Sequence, residues 1–158
     1  MSPEAELRAA IAGCRTCAAH LPHGVRPVTG FSATARLLII GQAPGSKVHA
    51  SGIPWDDASG DRLREWTGLT KQQMYDPAQV ALVPMGFCYP GKASGGDRPP
   101  RPECAPLWHE RVLAALPDDT LVFAGHLLIV LAKSVINPMR IRWASVFSLA
   151  ERAGLDAI

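Results

Sequence analysis

The chain has 158 residues, of which 47% are hydrophobic and 19% charged, and its formal net charge is +2. That length suits one domain burying about two thirds of its unfolded surface, and so small a charge gives no bulk electrostatic case for nucleic-acid binding. No apolar run approaches the roughly 20 residues that span a bilayer, and residues 1–11 mix acidic and basic side chains without the apolar core of an export signal. A soluble, cytoplasmic, monomeric protein in a reducing compartment is expected.

Residues 4–12 read as a short helix leading into Cys14-Arg15-Thr16-Cys17, and the Pro and Gly content of 21–30 reads as loop. Leu37-Leu38-Ile39-Ile40 suits a strand buried on both faces, and it stops at the turn Gly41-Gln42-Ala43-Pro44-Gly45. A loop at the carboxyl end of such a strand is where open α/β sheets bind ligands. The loop is expected to run on to about Ser59, and long loops in compact domains are usually functional.

Gly60 to Trp66 starts a helix with Leu63 and Trp66 on one face, and residues 71–75 extend it or form another turn. Val80 to Val83 is a second strand, broken by Pro84 and Gly86, that runs directly into Cys88. Tyr89 to Pro106 is rich in Gly, Pro and charge and reads as loop, with Lys92, Arg98 and Arg101 as a local basic cluster. Pro106 to Leu116 is helical, Thr120 to Ala124 is a third strand, and Gly125-His126 opens a helix through Lys133. Residues 134–158 carry no strand signal, though a final helix around Trp143 to Arg152 is compatible with their pattern. The alternation implies a single α/β domain over 1–158 with a mainly parallel sheet.

The four cysteines are Cys14, Cys17, Cys88 and Cys104. In a reducing compartment four thiols suit metal ligation better than disulfides, and both zinc and an iron–sulfur cluster accept four thiolates. Zinc ribbons supply two close pairs, whereas fifteen residues separate Cys88 from Cys104, which favours a cluster-type site and leaves zinc as the alternative. Unlinked buried cysteines, behaving as small apolar residues, are the third reading.

Taken in order, the Cys-x-x-Cys pair, the strand ending in Gly-Gln-Ala-Pro-Gly, Ile53-Pro54-Trp55 and the two later cysteines resemble the uracil-DNA glycosylase superfamily, specifically its iron–sulfur, family 4-like branch. The resemblance covers residues 14 to about 133. It implies a three-layer α/β/α fold, a [4Fe-4S] cluster on Cys14, Cys17, Cys88 and Cys104, and a DNA partner carrying a damaged or deaminated base. Such enzymes extrude the nucleotide from the duplex into a pocket and hydrolyse its N-glycosidic bond. On this alignment Trp55 takes the place of the Phe that stacks on the flipped base, and Gln42 that of the acid that positions water. The backbone around Gly41, Ala43 and Gly45 offers donors to the base oxygens.

Three departures qualify the resemblance. Gln42 can orient water but cannot act as a base. Pro84 stands where the branch places an Asn that pairs with uracil, so the base edge must be read elsewhere, with the backbone near Met85 and Gly86 as the candidate. The late His-Pro-Ser motif does not occur after Lys133, which leaves either an altered or truncated carboxyl end or a lost or changed activity.

His49 is the remaining catalytic candidate, as a general acid, or else a DNA contact or a solvated loop residue. Asp56, Asp57 and Asp61 follow Trp55 closely enough to supply a carboxylate, or they are simply the acidic first turn of a helix. Lys47, Lys92, Arg98 and Arg101 are the candidate phosphate contacts. The expected function is excision of a deaminated base, uracil or a relative, with a catalytically inactive nucleic-acid-binding module and a small structural zinc protein as alternatives.

Overall fold

The structure, a computed structural model, describes residues 2–124 and 127–130. Three strands form the parallel centre: β1 (Leu37–Ile40) lies between β2 (Val80–Leu82) and the strand Leu121–Ala124. A small antiparallel hairpin, β3 (Lys92–Ala93) and β4 (Gly96–Asp97), stands apart, so the strand Leu121–Ala124 is β5. A fourth strand, β6 (Leu127–Val130), runs antiparallel beside β5 and completes the order β2-β1-β5-β6.

The run Leu37 to Ile40 forms the middle of the sheet because it has apolar side chains for both faces. Leu38 and Ile40 enter a core with Leu7 and Ile11 of helix α1 (Pro3–Ala12) and with Trp108 and Val112. Ile39, on the other face, packs with Leu63 and Met74, and Leu37, Trp55, Tyr75 and Phe123 lie against that second core. Helices therefore cover both faces, which is the expected α/β/α layering. Leu63 belongs to α3 (Ala58–Thr67) and Met74 to α4 (Lys71–Met74), while Trp108 and Val112 belong to α5 (Cys104–Ala115). A capping box between Thr70 and Gln73 starts α4, and caps of this kind stabilise a helix by about 1 kcal/mol.

Three local expectations are corrected. Within the segment read as loop, residues Ser46–Ser51 form helix α2, stopped by Gly52 at φ 75°. The segment after Tyr89 holds the β3–β4 hairpin, and the helix expected from Gly125 to Lys133 is strand β6 over 127–130. A four-residue apolar run suits strand and helix equally, and here pairing with β5 decides. The helix suggested around Trp143 to Arg152 lies outside the described residues, none of whose helices is long and apolar enough to cross a membrane.

His109 sits in the α5 core, 4% exposed, stacked on Phe87 with Nε2 2.9 Å from the Pro84 carbonyl oxygen. Burial holds its pKa below the ordinary histidine value, against the opposing pull of the Pro84 and Met85 carbonyls. The unfolded chain therefore takes up this proton first. The contribution is whole above about pH 6.5 and is lost as pH falls through the lowered folded value. Thermal unfolding at pH 7.5 and pH 5.5 is expected to show a fall in midpoint that shrinks in His109→Gln; an equal fall in both proteins excludes this origin.

Candidate functional site

The chain passes from β1 to β2 on one side and later returns to pair β5 on the other, so the carboxyl end of β1 is a topological switch point. A cleft with about 410 Å³ of empty space, partly open to solvent, lies there. Gly41, Gln42, Ala43, Pro44 and Gly45 line it after β1, Pro84 after β2, and Pro54, Trp55, Asp57 and Ser59 on the approach to α3, with Val28 and Val48 completing the wall.

Parallel pairing continues past the strand ends and anchors this turn. Val83 N–H donates to the Ile39 carbonyl at 3.0 Å, and Met85 and Gly86 N–H donate to the Gly41 and Gln42 carbonyls, each at 2.8 Å. The N–H groups of Gln42, Ala43 and Gly45 find no acceptor among the described residues.

Trp55 has φ 58°, an uncommon backbone state for a bulky residue that costs on the order of 1–3 kcal/mol. Its surroundings enforce it. The Tyr75 hydroxyl donates to the Trp55 carbonyl at 3.1 Å, and a β-carbon at Gly60 would fall 1.8 Å from that oxygen. The indole lies so close to Gly41 that a β-carbon there would stand 2.7 Å from the ring. Gly41 and Gly60 are thus needed for space. Immediately afterwards Asp57 caps α3, its Oδ1 accepting from Ser59 N–H at 3.0 Å, from Gly60 N–H at 3.1 Å, and from the Ser59 hydroxyl.

Arg26 fixes the other arm of the loop. Its guanidinium donates to the carbonyls of His49 and Ala50 at 2.7 Å and of Ser51 at 3.3 Å, capping the carboxyl end of α2. Gly52 leaves room for it, because a β-carbon there would lie 2.4 Å from Arg26 Nη2.

All four cysteines line a second cavity, with about 370 Å³ of empty space, that they share with Leu21, Val25, Pro27, Phe87, Arg101 and Trp108. Every thiol is free. Backbone N–H groups of Thr16, Arg26 and Phe87 are hydrogen-bonded to Cys14, Cys88 and Cys104 respectively, the last at 3.3 Å. Burial pushes the Cys104 thiol up to about 12, reinforced by its cysteine neighbours and opposed by the Phe87 N–H. Burial also raises Cys17 and Cys88, with Glu103 adding to the effect at Cys17. At Cys14 burial acts in the same direction, but hydrogen bonds from Thr16 and Trp108 and the charge of Arg15 outweigh it and hold this thiol below its ordinary value.

Four thiols around one largely apolar cavity, three of them receiving backbone N–H groups, match the donor set that an iron–sulfur cluster or zinc requires. Among the described residues no three His, Cys, Asp or Glu are gathered tightly enough to hold a metal ion as they stand. A single ion therefore requires the thiols to close in around it.

A family model described as the uracil DNA glycosylase superfamily matches residues 29–149. The chain belongs to the uracil DNA glycosylase superfamily. Glycosylase-type chemistry on DNA is the general function of this superfamily, and the cleft occupies the position that an open α/β sheet gives to its ligand.

Within this superfamily member the structure brings together Gly41, Gln42, Ala43, Gly45 and Trp55 of the expected site. It does not bring His49 or Met85 among them. The His49 ring lies 5.8 Å from Tyr89 and 6.4 Å from His23, with Nε2 near the His23 carbonyl. Met85 packs against the α1–α5 core, and the N–H groups of Met85 and Gly86, expected to read a base edge, are occupied by the β1 turn. Lys47, Lys92 and Arg98 are exposed and form no ion pair among the described residues. Arg101 is turned toward the cysteine cavity and holds Glu103 through two hydrogen bonds.

Arg26, Tyr75, Gly60 and Ser59 were not singled out by the sequence, because each acts on a segment remote from it or through the absence of a side chain. The one available signal was Asp57 three residues before Gly60, a helix-cap pattern. Gly60→Ala is expected to destabilise the protein by about 2–3 kcal/mol, since the new methyl overlaps backbone. Gly95→Ala, where a β-carbon meets open space, should be near neutral. Chemical denaturation of both variants checks the contrast, and equal stability would remove the proposed fit around Trp55.

Proposed function

We propose that the protein is a DNA glycosylase of the iron–sulfur branch. It captures a flipped, deaminated base between Trp55 and the Gly41–Gly45 turn and hydrolyses its N-glycosidic bond. The observation that carries this reading is the pairing, in one cleft, of an aromatic ring held in a strained conformation with a turn whose Gln42, Ala43 and Gly45 N–H groups are unengaged among the described residues. Stacking on the ring secures the extruded base. The N–H groups meet the negative charge that develops on the base oxygens as the glycosidic bond breaks.

Lys47 on α2 and Lys92 and Arg98 on the β3–β4 hairpin supply phosphate contacts. Arg101 serves the cysteine cavity instead. Cys14, Cys17, Cys88 and Cys104 hold a [4Fe-4S] cluster, which supplies a rigid tie between the amino-terminal segment and the α5 end of the domain. Iron and sulfide analysis of anaerobically purified protein tests that assignment. Iron and sulfide near four per chain agree with it, whereas colourless protein carrying zinc alone refutes it.

A nucleic-acid-binding module without catalysis is the second reading, favoured by the neutral Gln42 in the cleft and by Pro84 at the expected Asn position. Oligonucleotides containing uracil, hypoxanthine or xanthine, treated with alkali after incubation, separate the two. Strand breaks at the modified base support the glycosylase, and salt-sensitive binding without breaks supports the module.

Trp55→Ala is expected to weaken capture of the modified oligonucleotide about 5- to 150-fold, in line with about 1–3 kcal/mol of stacking per base. Gln42→Ala should leave that affinity nearly unchanged. Equal affinity of Trp55→Ala and wild type, in a binding titration, defeats the stacking role.

A further inference from the structure

Residues 25–28 border both cavities. Val25 and Pro27 line the thiol cavity, and Val28 lines the cleft at the end of β1. The backbone is tied down on each side of that boundary. Arg26 N–H is hydrogen-bonded to the Cys88 sulfur, and Val28 N–H donates to the Phe87 carbonyl at 2.7 Å. From between these two ties the Arg26 side chain reaches α2, where Nη1 donates to the carbonyls of His49 and Ala50 at 2.7 Å and Nη2 to that of Ser51 at 3.3 Å. No carboxylate pairs with this guanidinium among the described residues, so its charge faces the carbonyl end of the helix.

Helix α2 is in turn part of the cleft. It starts from Gly45, the last residue of the base-binding turn, whose carbonyl accepts from His49 N–H at 2.8 Å. No side chain caps that end among the described residues. The buried Val48, in the middle of α2, forms part of the cleft wall, and Gly52 stops the helix three residues before Trp55. A six-residue helix does not persist in water by itself, so α2 has a clamped and a released state. Three hydrogen bonds from Arg26 favour the clamped one. The other side-chain tie to the same segment is a single contact, His49 Nε2 at 3.2 Å from the His23 carbonyl. Release frees Gly45 at one end of α2 and the approach to Trp55 at the other.

The thiols act on this clamp through one bond. A neutral Cys88 thiol accepts weakly from Arg26 N–H, whereas metal ligation makes the sulfur a thiolate. Hydrogen bonds to an ionised acceptor are shorter and roughly twice as strong. Loading of the thiols therefore fixes the Arg26 backbone, and with it the origin of the side chain that closes α2.

We propose that Arg26 is a positioning residue that couples the thiol site to the base-binding cleft, so that loading of the thiols with iron or zinc and capture of a base each strengthen the other. The part that concerns base capture rests on the glycosylase reading given above. By linkage, a duplex carrying the modified base tightens retention of the metal by the same factor by which the metal tightens capture.

Hydrogen exchange and DNA affinity, measured on the full chain, test the proposal. The proteins are wild type, Arg26→Gln and Arg26→Lys, each as purified anaerobically and after its metal is stripped with ferricyanide and EDTA. Both variants keep the backbone N–H to Cys88, so their metal content should stay near that of wild type. In wild type, stripping should speed exchange of the His49 to Gly52 amides about 5- to 150-fold, the usual range of coupling between sites, while the β1 amides stay protected. In Arg26→Gln the α2 amides should exchange fast with or without metal, and Arg26→Lys, which keeps a charged donor for the carbonyls, should fall between. The preference for a duplex containing uracil, hypoxanthine or xanthine over the unmodified duplex should drop by a similar factor in stripped wild type and in loaded Arg26→Gln. A lost phosphate contact has a different signature, an equal loss on both duplexes with a shallower salt dependence.

Equal exchange of the α2 amides in loaded and stripped wild type overturns the proposal, as does a loaded Arg26→Gln protein that matches wild type in exchange and in base preference. An equal loss on both duplexes without faster α2 exchange overturns it by assigning Arg26 to the phosphates. Stripped protein whose β1 amides also lose protection overturns it, because the whole fold then depends on the metal, and so does wild type that carries neither iron nor zinc as purified. Exchange coupling through Arg26 in a loaded protein with no preference for any modified duplex supports the link between thiols and α2 and removes the glycosylase reading alone.

Discussion

One short segment, Val83 to Cys88, determines where both candidate sites lie. Its first N–H extends the β1–β2 ladder, and the next two hold the Gly41 and Gln42 carbonyls, fixing the turn after β1 against the sheet. Phe87 then faces the other way: its N–H donates to the Cys104 sulfur at 3.3 Å and its carbonyl accepts from Val28 N–H at 2.7 Å. Cys88 follows at once. The base-binding turn and the thiol cavity are therefore successive consequences of one extended strand exit, and neither can shift without disturbing its hydrogen bonds. His109 reinforces the segment from below through the Pro84 carbonyl.

Arg26 joins the same two regions by a different route. Its backbone N–H is hydrogen-bonded to the Cys88 sulfur, while its guanidinium holds the last carbonyls of α2. α2 has only six residues, too few for a helix to persist in water on its own propensity. Its carboxyl end is formed by a side chain from outside the helix. Ordering of the thiol cavity and ordering of the loop that carries Trp55 are thereby connected through one residue.

The parts of this architecture that were legible in the sequence are those where a local apolar pattern and the tertiary environment agree. Leu37 to Ile40 fits a strand buried on both faces, and the sheet buries it on both faces; the punctuation at Gly41 to Gly45 marks the cleft for the same reason. Helix α2 was not legible, since Ser46 to Ser51 has no apolar periodicity long enough to register and depends on Arg26, twenty residues earlier. Strand β6 was misread because Leu127 to Val130 suits either state until pairing is known. The surroundings of His49 and the diversion of Arg101 to Glu103 are contacts between distant segments, which spacing along the chain does not encode. The cysteines were read as a group, and the cavity they share is consistent with that grouping, whereas the identity of what they bind depends on chemistry that geometry alone leaves equal between iron and zinc.

The strain at Trp55 and the cap at Asp57 are best understood as one device. An αL residue reverses the chain direction within a single step, and without that reversal the ring and the carboxylate two residues later would not reach the same cavity. The cost of about 1–3 kcal/mol is offset locally by the Tyr75 hydrogen bond, by contact of the indole with the second core and by three hydrogen bonds at Asp57 Oδ1. Those same bonds remove the rotational freedom of the Asp57 carboxylate, so that the amino-terminal end of α3 and the turn that carries the indole are fixed as one unit beside the Gly41 to Gly45 turn.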